Sequence, residues 1–193
     1  VMAVGGTWAT KTSMVARNSP SVGVINGLMY VAGGWNVSHQ TVVESYDPTT
    51  NLWTPRAALP GPQTNAASAL IGGAMYLAGG TNCCVEINTF RRYTAATNSW
   101  SVLPAMPTTR QGAAGAAFGG KFYVGGGMNP SGKLGTLEVY DPGTNSWATK
   151  AAMPTPRAPI KSMSPSDTRF ECASTVRRVI SPKPSRLSVS ERP

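Results

Sequence analysis

The chain has 193 residues, with 17 Lys and Arg against 8 Asp and Glu, a formal net charge of +9, and only 13% charged residues. That length can enclose a sizeable core, while 21 Gly and 16 Pro favour many short strands and turns over long helices. The longest uncharged stretch, residues 57–85, is interrupted by Pro60, Pro62 and two Gly-Gly pairs, so no membrane span is expected. In chain order, residues 1–14 lack the basic flank and apolar core of a signal peptide, and the compartment is left open. Within them Trp8-Ala9-Thr10-Lys11 duplicates Trp147-Ala148-Thr149-Lys150. Residues 1–14 are therefore read as the outer strand of a unit whose other strands are absent.

From residue 15 one pattern recurs three times, giving units 15–61, 62–108 and 109–157. Tyr46, Tyr93 and Tyr140 stand 47 residues apart, and so do Trp53, Trp100 and Trp147. Glycine pairs precede them at Gly33-Gly34, Gly79-Gly80 and Gly126-Gly127. A fixed period in this range marks units that bury their apolar faces only by stacking on one another. Each unit reads as four antiparallel strands, A to D. Asn26-Gly27, Gly72-Gly73 and Gly119-Gly120 are turns of type I′ joining A to B, since both central residues tolerate positive φ. Strand C is expected over 42–47, 87–94 and 136–141, and strand D around each Trp. The glycine pair closes strand B and has a steric reading: without Cβ atoms, a neighbouring backbone or ring approaches closely. The three Tyr, with Trp8, Trp53, Trp100 and Trp147, are expected in the core.

A hairpin turn, a double glycine, a Tyr about 13 residues on and a Trp seven later resemble the kelch repeat of β-propellers. The resemblance extends to Leu59-Pro60, Met106-Pro107 and Met153-Pro154 and to the following Arg110 and Arg157, with Gln63 as a departure. It implies an all-β fold: a partial kelch-type propeller of three four-stranded antiparallel blades plus an extra N-terminal strand. Residues 158–193 contain no Gly, Trp or Tyr but eight Ser, five Pro and seven Lys and Arg, and are expected to form a disordered basic tail.

Chemistry is sparse. His39 is the one histidine, and Cys83, Cys84 and Cys172 lack metal-ligand spacing, so no metal, cofactor or catalytic residue is expected. Free thiols are the plain reading, with a vicinal Cys83-Cys84 disulfide as the alternative. Basic residues of the repeat region are scattered, Arg91-Arg92 being the only pair, so no specific nucleic-acid partner is expected. Strand order puts the D-to-A and B-to-C loops on one face, and the resemblance implies that a protein partner binds there. The D-to-A set is Arg17, Asn18 and Ser19; Gln63, Thr64 and Asn65; Arg110 and Gln111; and Arg157. The B-to-C set includes Asn36, His39, Asn82 and Asn129, with Trp35, Ser38, Thr81, Met128 and Ser131 beside them. For the arginines two readings stand: forks for an acidic partner, or braces on backbone carbonyls between blades. A scaffold is favoured over an enzyme. The resemblance implies one enzymatic alternative, a fragment of a sialic-acid mutarotase-like carbohydrate enzyme. Three blades also leave packing faces bare at both ends, which points to self-association.

Overall fold

The computed structural model describes residues 8–83 and 85–158. Expectations that fall on residues 1–7, Cys84 and residues 159–193, including the tail and the vicinal disulfide, lie outside the described residues. Three four-stranded antiparallel sheets follow one another along the chain. The first contains β1 (Ser21–Ile25) and β2 (Leu28–Ala32). Two short strands, β3 (Trp35–Asn36) and β4 (Ser38–His39), pair outside the sheet, which β5 (Val43–Asp47) and β6 (Leu52–Arg56) complete. The second repeats the plan with β7 (Ala67–Ile71), β8 (Ala74–Ala78), β9 (Thr81–Asn82), β10 (Val85–Glu86), β11 (Phe90–Thr94) and β12 (Ser99–Leu103). The third comprises β13 (Ala114–Phe118), β14 (Lys121–Gly125), β15 (Met128–Asn129), β16 (Gly132–Lys133), β17 (Leu137–Asp141) and β18 (Ser146–Lys150).

Local chemistry accounts for the joints. The A-to-B turns have positive φ at both central residues, 51° and 80° at Asn26-Gly27 and 56° and 74° at Gly72-Gly73, as type I′ requires. The turns after β5 and β17 are held by aspartates: Thr49 N–H donates to Asp47 Oδ1 at 2.8 Å and Gly143 N–H to Asp141 Oδ1 at 2.9 Å. Strand C of the second sheet starts at Phe90, later than residue 87, because Ile87 N–H bonds the Gly80 carbonyl at 2.8 Å instead of joining the ladder.

The core lies between sheets. Tyr30, Ala32 and Val43 of the first sheet meet Met75, Leu77 and Tyr93 of the second. On the second sheet's other side Tyr76 and Phe90 meet Phe122, Val124 and Tyr140, with the Phe90 and Phe122 rings stacked at 5.6 Å. Each Tyr is paired across the strands with its Trp, at centroid separations of 5.1, 5.1 and 5.5 Å.

A hydrogen-bonded clasp joins neighbours. Trp100 Nε1–H donates to the Ala57 carbonyl at 2.9 Å, Ala57 N–H donates to Asn98 Oδ1 at 2.9 Å, and Tyr93 OH donates to the same oxygen at 2.7 Å. One repeat earlier Trp53 bonds Thr12 O, Thr12 N–H bonds Asn51 Oδ1, and Tyr46 OH bonds Asn51 Oδ1. One repeat later Trp147 bonds Pro104 O and Tyr140 bonds Asn145; proline has no N–H to complete the set. Thr12, Ala57 and Pro104 each lie four residues after a Trp, so the segment after Trp8 stands where a preceding sheet's outer strand would exit.

Two expectations change form. Residues 8–17 make no ladder, because no described strand lies alongside to pair with them, although their exit contacts are in place. Trp8 is fully exposed, not core, for want of the cross-strand Tyr that half-buries Trp53, Trp100 and Trp147.

Candidate functional site

The double glycines position the site. A Cβ at Gly79 would lie 2.5 Å from the Arg110 carbonyl oxygen, and Cβ atoms at Gly33 and Gly126 would collide with the carbonyls of Gln63 and Arg157. Through that gap Gly80 N–H bonds Arg110 O, and Gly127 N–H bonds Arg157 O, each at 2.8 Å. The backbone of each D-to-A loop is thereby seated in the sheet before it.

Each D-to-A loop is also tied to the B-to-C hairpin of its own repeat by a reciprocal pair of backbone bonds. Asn18 and Trp35 bond at 2.9 and 2.8 Å, Thr64 and Thr81 at 3.0 and 2.8 Å, and Gln111 and Met128 at 2.9 and 3.0 Å. The loops are linked in turn along the arc: Asn65 N–H donates to Ser19 O at 3.2 Å and Gly112 N–H to Asn65 O at 3.0 Å. Ser19 and Asn65 adopt φ of 52° and 59° there, a left-handed conformation that Asn tolerates best among residues with side chains.

Side chains continue the network. His39 Nδ1 lies 3.0 Å from Thr64 Oγ1, and the Thr64 hydroxyl donates to Gly34 O at 2.8 Å. Burial pushes the His39 pKa below its ordinary value, and a hydrogen bond with the Cys83 backbone, which favours the charged ring, offsets part of this. Asn65 Nδ2 donates to Gln111 Oε1 at 3.2 Å, and Gln111 Nε2 donates to Glu86 Oε1 at 2.9 Å. Asn129 Nδ2 donates to Thr109 O at 3.2 Å. Asn18 and Asn82 are exposed, Asn36 is half-buried, and Val37 and Val85 stand out at 89% and 57% exposure. At the first repeat Ala16, Arg17, Asn18, Trp35 and Asn36 line a shallow, open depression.

The arginines brace the fold. Arg17 bonds Glu44 at 2.5 Å with its side chain 2% exposed. Arg110, 0% exposed, meets Glu138 at 2.8 Å and donates to the carbonyls of Gly126 and Thr136, both at 3.0 Å. Neither guanidinium reaches a partner on the surface, which corrects their reading as forks. In the second repeat the polarity reverses: Gln63, 2% exposed, donates to Gly79 O at 2.7 Å and accepts from Arg91 at 2.7 Å. Arg91 holds the strand position of Glu44 and Glu138, 47 residues from each, and burial lowers its pKa. Arg157 engages through its backbone, while its side chain is exposed.

The structure thus brings Asn18, Ser19, Asn36, His39, Thr64, Asn65, Asn82, Gln111 and Asn129 to one end of the sheets, and turns Arg17, Gln63 and Arg110 inward. Glu44, Arg91, Glu138 and Glu86 were missed. Three of them carried a usable signal, the same 47-residue spacing as the Trp. Among the described residues no group of three or more His, Cys, Asp or Glu could hold a metal ion.

The Kelch motif family model matches residues 16–60, 64–107 and 109–154. Similar curated proteins include Kelch-like ECH-associated protein 1A of Danio rerio, 39% identical over 70 residues, covering 34% of this chain and 12% of the relative. Kelch-like protein 33 of Homo sapiens is 38% identical over 69 residues, again 34% and 12%, and Alpha-scruin of Limulus polyphemus is 37% identical over 67 residues, 34% and 7%. These matches span a small part of the relatives' lengths. Among solved structures, that of YjhT aligns with a TM-score of 0.72 at 19% identity, over 81% of this chain and 58% of that one, a likeness of fold.

Proposed function

Because this chain belongs to the Kelch motif family, whose model covers more than half of it, we propose that it is a protein-interaction scaffold binding through its D-to-A and B-to-C loops. The observation that carries the reading is the reciprocal backbone bridge between those two loops in all three repeats. It fixes a continuous row of amide and hydroxyl groups on rigid strand ends, where binding geometry is best held. With Arg17 and Arg110 buried on carboxylates, the row offers mainly amide and hydroxyl groups flanked by Val37 and Val85, with Glu86, Lys133 and Arg157 as its charged members. It therefore suits an extended segment held by polar contacts and small apolar side chains. His39, the one histidine, is tied to Thr64.

Selection of a displayed random-peptide library against the chain tests this. Selected peptides should lose binding on Asn18→Ala or Asn82→Ala and keep it on Asn26→Asp at the opposite face. Peptides indifferent to the first two, or anomeric exchange of added sialic acid without peptide binding, would overturn it.

A further inference from the structure

The outer edges of the three sheets are not equivalent. Pro55 stands in β6 opposite Glu44, and a ladder accepts proline only where the N–H would point away from the sheet. That position, occupied by Val102 and Thr149 at the 47-residue spacing, therefore turns its main-chain groups outward. In β12 strand alternation gives Trp100 the same direction. β12 is the edge of its sheet, with β11 beside it. Among the described residues no hydrogen bond outside the ladder reaches the main-chain N–H or carbonyl of Trp100 or Val102.

Open edges invite pairing, and proteins blunt them with proline or charge. β6 carries Pro55 and Arg56, and β18 carries Lys150 at the position of Arg56. At the same two positions β12 carries Val102 and Leu103. The run from Tyr93 to Thr109 holds no Lys, Arg, Asp or Glu, in a chain of net charge +9, and Val102 is 67% exposed. The middle sheet thus lacks both devices that protect its neighbours.

We propose that β12 is a dimerisation edge, to which β12 of a second copy adds antiparallel about a two-fold axis at Ser101. The strand is self-complementary in that register. Trp100 of each copy faces Val102 of the other, and every outward N–H of one meets an outward carbonyl of the other. A slip to either side leaves Trp100 or Val102 without a partner. An aromatic ring opposite a β-branched side chain is a favourable cross-strand pair, and it covers the exposed valine.

Charge permits the same arrangement. Arg91 and Arg92, opposite Val102 and Ser101 in the ladder, come to lie three strand spacings, about 14 Å, from the same strand of the other copy, beyond a screening length of about 8 Å. Pro55 and Lys150 keep the edges of β6 and β18 out of such pairing, so association closes at two copies instead of continuing into a fibre. Two five-residue strands bury less than the roughly 1,200 Å2 of a standard interface, so the dimer is reversible and forms at high concentration. It uses the middle sheet and neither end of the chain.

Sedimentation equilibrium of the full chain from about 10 micromolar to about 1 millimolar should show a reversible rise towards twice the mass of 20.2 kDa. Val102→Pro installs the residue of the first repeat where the N–H points outward, so the chain folds while each edge loses a donor. Association should weaken by about thirtyfold, with unchanged circular dichroism. Val102→Thr, the residue of the third repeat, should keep association within about threefold of the parent. With Cys83, Cys84 and Cys172 changed to Ser, Ser101→Cys should cross-link two copies under oxidant, since facing Cα atoms at the axis are about 4.5 Å apart. Ser99→Cys in the same background should not. A chain that stays monomeric, an open-ended series of masses, a dimer indifferent to Val102→Pro, or cross-linking at Ser99 in place of Ser101 would overturn the proposal. So would amide protection of β12 that appears only with an added extended peptide, which would assign the edge to another protein. None of these readouts depends on the loop face, so peptide selection can fail or succeed separately.

Discussion

Exchanging the buried pair of the second repeat for that of its neighbours should expose the bracing role directly. Arg91 Nη1 donates to Gln63 Oε1 at 2.7 Å and to Gly61 O at 3.0 Å, where Arg110 and Glu138 form an ion pair at 2.8 Å one repeat on. Gln63→Arg alone sets two guanidinium groups roughly 4 Å apart, a repulsion of about 4 kcal/mol at an effective dielectric constant near 20. Arg91→Glu alone leaves a buried carboxylate with one amide donor already engaged by Gly79 O, at a cost of about 3 kcal/mol. The double variant rebuilds the pair of the third repeat and should lie within about 1 kcal/mol of the parent. The coupling is then about 5 kcal/mol or more, well above that of ordinary contacts. Urea unfolding of the four proteins reads it from the midpoints. Additive losses, with the double variant the least stable, would refute the equivalence of the two pairs.

Three further outcomes follow from the same geometry. Gly79→Ala, at φ 66° and 2.5 Å from Arg110 O, should cost about 3 kcal/mol or more, whereas Gly72→Asn, in open space at φ 56°, should cost less than about 1 kcal/mol, by urea midpoints. Trp100→Ala, which loses the bond to Ala57 and the Tyr93 contact, should cost roughly 2 to 4 kcal/mol, and Trp8→Ala almost nothing; equal melting shifts would contradict the clasp. His39 has a lowered folded pKa, so below the ordinary value of about 6.5 the unfolded chain binds more protons. Stability should be full above that pH, fall as pH drops from it to the folded pKa, and level off below. His39→Gln should remove this step from melting curves taken across that range.

The repeat, the turns and the steric role of the double glycine were legible because each is written locally and three times over. Asn26-Gly27 needs only its own φ values, and Gly79 only the absence of a Cβ. The direction of the arginines was not legible from Arg17 or Arg110 alone, since a guanidinium suits a buried carboxylate and a surface one equally well. The partners Glu44, Arg91 and Glu138 keep the period, but Arg91 reverses the charge and conceals it. Strands of two residues, such as β3 and β4, are too short to show alternation, so the hairpins that carry Asn36, His39 and Asn82 read as plain loops. Trp8 shows the limit most clearly. Its tetrapeptide is identical to that around Trp147, yet burial depends on a sheet and not on the tetrapeptide.

The most direct test of the interaction face is hydrogen exchange measured by mass spectrometry, with and without a library-selected peptide. Protection should appear at residues 17–19, 35–39, 64–65, 81–86 and 128–133, while the turns at Asn26-Gly27, Gly72-Gly73 and Gly119-Gly120 stay unchanged. Protection centred on those turns or on the outer strands β6, β12 and β18, with none at the D-to-A and B-to-C loops, would contradict the account.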